Sequence, residues 1–107
     1  MGLFDKRERS FEDKFAHDEA LKFKALARRN KLLAAWAGGQ LGLAGDQIGA
    51  YQETLIRADL EEAGDEDVFR KLRKDFDDKG VKVSDHQIRR EMQELLTQAV
   101  REVEEGR

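Results

Sequence analysis

A chain of 107 residues without proline or cysteine, 40% of it charged, can bury one modest core and excludes a disulfide framework or a thiolate metal cluster. The opening MGLFDKRERS lacks the apolar run of a signal peptide, and no segment approaches membrane-spanning length, so a cytoplasmic protein without direct membrane insertion is expected. The net charge of −3 is unevenly placed: residues 1–31 hold nine Lys/Arg and six Asp/Glu, and the rest hold eleven and seventeen. Those bases alternate with acids and form no clean basic face, which argues against nucleic acid.

The first twenty residues are the unusual part. Phe4, Phe11 and Phe15 fall within roughly 40° of one another on a helix, but Arg7, Lys14 and Asp18 intrude on that face. Four opposite-charge pairs at i,i+4 (Asp5–Arg9, Arg9–Asp13, Lys14–Asp18 and Asp18–Lys22) together offer roughly 1–2 kcal/mol. That does not hold an isolated helix firmly in water. The expectation is an arm, frayed or disordered when free, that becomes helical once a partner covers its phenylalanines. A frayed first turn of a long helix, or a helix packed on a homodimer partner, fits the same residues.

Glycines divide the remainder into four helical segments. The first carries Leu21, Ala25, Leu32 and Trp36 on its best apolar face, with Leu26 and Leu33 alongside, and is expected to stop at Gly38-Gly39. Phe23 lies opposite Leu32 and Trp36, so it either packs on another helix or contacts a partner. After the connector GGQLGLAG, a second segment begins near Asp46 with Ile48, Tyr51, Leu55 and Ala58 on one face, and ends by Gly64. Asp65 is expected to cap a third segment whose stripe is Val68, Phe69, Leu72 and Phe76, ending at Gly80.

The fourth segment has the clearest start. Ser84 and Gln87 form a capping box, and Val83 with Ile88 supplies the hydrophobic staple across it. Ile88, Met92, Leu95, Leu96, Ala99 and Val103 then make a broad apolar face. Four such helices on short connections require mutual burial, so the fold expected is all-α, a small four-helix bundle with a long first helix.

FDKRER, KFAHDE, FKALARRNKLLAAWA, GDEDVFRKL and IRREM, spread over nearly the whole chain, closely resemble the ζ subunit family, the small inhibitor of the F-type ATP synthase in alphaproteobacteria. The resemblance implies a bundle over residues 20–107 and a mobile inhibitory arm over residues 1–19. In that family the arm becomes a helix as it wedges into a catalytic interface between the α and β subunits near the γ stalk, blocking rotation in the hydrolytic direction. Carried onto this sequence, it makes Phe4, Phe11 and Phe15 the anchors of a helix-in-groove contact, with Asp5, Arg7, Glu8, Arg9, Glu12 and Lys14 setting orientation and register. His17, Asp18 and Glu19 become the hinge. The partners are then the α, β and γ subunits, with the inhibitor peripheral on the membrane-bound synthase. No enzyme activity, cofactor or metal is expected.

Other signals are weaker. His17, Asp18 and Glu19 point in different directions on a helix and cannot converge on one ion. His17 beside carboxylates suits a pH sensor, but a solvated or packed histidine explains it as well. GDEDVF lacks the alternating oxygens of a calcium loop. The glycine connector follows a helix and has no lysine after Gly45, unlike a phosphate loop. A scaffold binding some other partner through its bundle is the alternative function.

Overall fold

The computed structural model describes residues 19–61 and 64–106. Four α-helices follow one another: α1 (Glu19–Leu41), α2 (Asp46–Glu61), α3 (Glu66–Lys79) and α4 (Asp85–Glu104). Among the described residues there is no strand. The architecture is the expected all-α bundle, and α1 is its centre, packing against each of the other three helices.

That central position explains why α1 shows no single narrow stripe. Its buried residues are Ala25, Arg29, Asn30, Leu33, Ala34, Ala37, Gly38 and Leu41, which sweep around much of the helix. The face expected from Leu21, Ala25, Leu32 and Trp36 is therefore rotated: of these only Ala25 is buried, and Leu21, Leu32 and Trp36 are half-buried. Trp36 still reaches the core, its ring and that of Phe76 lying 5.6 Å apart at 80°, a favoured T-shaped geometry.

The first helix also runs past Gly38-Gly39. Two helical glycines cost about 1 kcal/mol each against alanine. At Gly38 the missing side chain lets α2 approach, because an added Cβ would meet Ile48 Cγ1 at 3.1 Å. The helix stops instead at Gly42, with φ +78°. There the Leu43 N–H donates to the Gly38 carbonyl and the Gly42 N–H to the Gly39 carbonyl, the paired bonds of a Schellman ending. Gly80 closes α3 the same way, its own N–H on Asp77 and that of Val81 on Phe76.

The core gathers Leu33, Ala34, Ala37, Leu41, Leu55, Val68, Phe69, Leu72, Phe76, Val83, Ile88 and Met92. The third stripe is buried as its spacing predicts. So are Val83 and Ile88 of the staple, while the Ser84 hydroxyl accepts from the Gln87 N–H at 3.1 Å. Outside the core, Arg73 fastens the α3–α4 turn by donating to the Val83 carbonyl and the Asp85 carboxylate. Arg89 lies 3.9 Å over the Phe69 ring while pairing with Glu66. Tyr51 donates to Asp75, and burial, then that carboxylate, push its hydroxyl well up from the ordinary phenol range.

Candidate functional site: the root of the arm

The arm residues Phe4, Asp5, Arg7, Glu8, Arg9, Phe11, Glu12, Lys14 and Phe15, and the hinge residues His17 and Asp18, lie outside the described residues. Glu19, the third hinge candidate, is exposed and opens α1. The described site is accordingly the end of the bundle from which the chain runs back toward residue 1.

Helix order fixes what stands at that end. Gly38 faces Ile48 near the start of α2, and Asn30 Nδ2 donates to Asp59 Oδ2 at 3.1 Å near its finish. These two contacts make α1 and α2 antiparallel. On another side, Arg28 Nη1 reaches Glu102 Oε1 at 3.2 Å, so the last turn of α4 also lies near the root. Beyond Asn30, α1 extends eleven residues toward its start, whereas α2 ends two residues past Asp59. At 1.5 Å per residue, the first turns of α1 overhang α2 by roughly 13 Å.

At the base of this overhang lies a buried polar corner. The Arg29 side chain has no exposed surface; its Nη1 is 3.0 Å from Asp65 Oδ1 and its Nη2 3.6 Å from Asp59 Oδ2. Neither Nη atom is aligned as a hydrogen bond, whereas Nε donates to Asn30 Oδ1 at 2.9 Å. A buried guanidinium is tolerated only when paired. Here the pairing ties α1 to the last turn of α2 and to the residue just before α3. Burial raises Asp59 above the ordinary carboxylate range, against the hydrogen bond from Asn30 and the charge of Arg29, which pull it down. Burial is the largest influence, and the nearby charges of Asp65 and Asp67 push in the same direction.

Asp65 therefore does different work from the expected cap. It occupies the cap position of α3 but its side chain makes no cap hydrogen bond, because Arg29 holds it. The neighbouring acids are also held by arginines, Glu66 by Arg89 and Asp67 by Arg70. Among the described residues no group of His, Asp or Glu could hold a metal ion. Periodicity missed Arg29 and Asn30 because it counts apolar residues; their only signal was helical register with Leu33 and Ala37.

Phe23 is 59% exposed, so it does not pack on another described helix. It precedes Asn30 by seven residues and Leu41 by eighteen, so the three point within about 20° of one direction. Its face is the one that α2 covers farther along, and α2 ends before reaching it.

The ATPase inhibitor subunit zeta family model matches residues 1–102. No curated protein matches the chain. A protein solved by NMR in solution is similar at 38% identity, over 82% of this chain and 100% of that one, with a TM-score of 0.72. On the family match, which takes in residues 1–18 and nearly all of the four helices, the chain belongs to the ATPase inhibitor subunit zeta family.

Proposed function

We propose that this chain inhibits the hydrolytic reaction of an F-type ATP synthase, and that residues 1–19 do so by entering a catalytic α/β interface near the γ stalk as a helix. The observation that carries the reading is the extent of the family match, residues 1–102, which includes the arm itself. The arm also has the chemistry of a helix that docks in a groove. Phe4, Phe11 and Phe15 supply apolar anchors at i, i+7 and i+11, and the charges between them set register. Ordering such a segment on binding costs about 2–5 kcal/mol of the gross interaction, which keeps the contact reversible.

The division of labour proposed is an arm over residues 1–19 and a bundle over residues 20–107 that presents it. The partners are the α, β and γ subunits of the catalytic head, and the protein is a regulator without catalysis of its own. No described helix is long and apolar enough to cross a membrane; attachment to the membrane-bound synthase is through the head.

The test is ATP hydrolysis by the soluble head, titrated with the full chain and with a chain lacking residues 2–18, whose helicity is checked by circular dichroism. Saturable inhibition by the full chain, lost on truncation while the bundle stays folded, is the expected result. Inhibition that survives truncation would move the activity to the bundle, and none from either form would remove the reading.

A further inference from the structure

The four helices are not equally anchored. Of the sixteen residues of α2, Leu55 is the one that is buried, whereas α3, two residues shorter, buries Asp67, Val68, Phe69, Leu72 and Phe76. Ile48, Tyr51 and Ile56 are half-buried. The side of α1 that meets α2 accounts for this small yield. Gly38 faces Ile48 and Asn30 faces Asp59, and the four-residue steps between them put Ala34 on the same line. A glycine, an alanine and an asparagine let two helices approach closely while burying little apolar area. Apolar area is what makes separation costly.

The remaining hold on α2 is polar. Asn30 Nδ2 and Arg29 Nη2 reach Asp59 Oδ2 at 3.1 and 3.6 Å, and the Tyr51 hydroxyl donates to Asp75 at 2.7 Å. Water replaces such partners once a helix moves away, so their net contribution is modest. Arg29 is not stranded by that movement, because its shorter contact, at 3.0 Å, is to Asp65 just before α3.

The other three helices are joined to one another without α2. Trp36 stacks on Phe76, Arg28 pairs with Glu102, Arg73 with Asp85, and Arg89 with Glu66. On either side of α2 stand Gly45 and Gly64, at φ +56° and +92°, backbone positions free enough to absorb a swing of the helix between them.

We propose that α2 is a strap. It opens as one unit about these glycines while α1, α3 and α4 stay folded together, and it does so in the native protein more often than the whole bundle unfolds. Opening uncovers the seat of Leu55 and the Asn30–Ala34–Gly38 line of α1.

The experiment is native-state hydrogen exchange of the full chain, read amide by amide by NMR at rising urea concentrations below the unfolding transition. Amides of residues 51–60 should merge onto one urea-dependent line and exchange about tenfold or more faster than those of residues 33–41, 72–76 and 92–99. Ser84→Ala weakens the cap of α4, a helix that stays folded in the open state. It should speed exchange in α1, α3 and α4 about fivefold and leave α2 unchanged. Equal protection across the four helices would overturn the strap. So would protection graded along α2 and insensitive to urea, which is fraying, or an α2 that Ser84→Ala accelerates as much as it does α4.

Discussion

Arg29 Nη1 stands 3.0 Å from Asp65 Oδ1, joining the middle of α1 to the residue before α3 across a corner where the arginine has no contact with solvent. Its other partner, Asp59, lies in the last turn of α2. Three successive helices are thus registered by one side chain.

Removing that side chain leaves Asp59 half-buried without its cation. Arg29→Ala is expected to destabilise the bundle by about 3 kcal/mol, the lower end for breaking a buried pair from one side. Arg29→Met combined with Asp59→Leu should recover part of the loss, since the more buried of the two carboxylates leaves with the cation and the remaining one, on Asp65, is about half exposed. Urea unfolding followed by circular dichroism measures both; a single variant no weaker than the double one would count against the pairing.

The pH dependence of stability carries the sign of Asp59. Its folded value is raised above the unfolded one, chiefly by burial. Through the window from the ordinary carboxylate value, about 3.9, up to the folded value, the native state binds more protons than the unfolded chain. Its contribution is therefore present below that window and lost as pH rises through it. Asp59→Asn removes this term, so the variant's stability should rise more steeply with pH over the window than the wild type's. Identical slopes in parallel urea titrations would show that Asp59 is unshifted.

The paired glycines of α1 should respond differently to the same substitution. An added Cβ at Gly39 meets nothing within 4 Å, so Gly39→Ala is expected to stabilise by about 0.5–1 kcal/mol. At Gly38 it meets Ile48 Cγ1 at 3.1 Å, and half-buried Ile48 must give by a few tenths of an ångström. Gly38→Ala should therefore gain less, or lose. Thermal unfolding of the two variants ranks them directly.

Ser84→Ala is expected to cost about 1 kcal/mol by leaving the Gln87 N–H without its acceptor. Gly should replace Ser84 at only a few tenths, and the difference between the two variants reports the cap itself.

Much of the fold was legible because glycine and capping residues punctuate a chain with no proline. Gly80, Ser84 and the Val68–Phe76 stripe all act where their spacing puts them. The first helix was harder to read. Packed on several sides, it buries small residues such as Ala34, Ala37 and Gly38, which weigh little in an apolar pattern yet permit the close approach to α2. Arg29 was invisible for a related reason: a cation is buried only when acids from distant positions converge on it, and Asp59 and Asp65 are brought there by the fold. The same long-range reason moved Asp65 from cap to ion pair. Phe23 was singled out by its position, but its exposure depends on where another helix ends.

The central place of α1 has a mechanical consequence. Its first residue is the point where the preceding segment is attached, and from Ala25 onward it is gripped by antiparallel α2 and by α3 and α4. A pull applied at residue 19 along the helix axis is met as shear, with many side-chain contacts strained together, instead of being peeled open one contact at a time. A bundle strung this way behaves like a peg set in its socket along the line of load, firm against axial traction and weaker against a sideways pry.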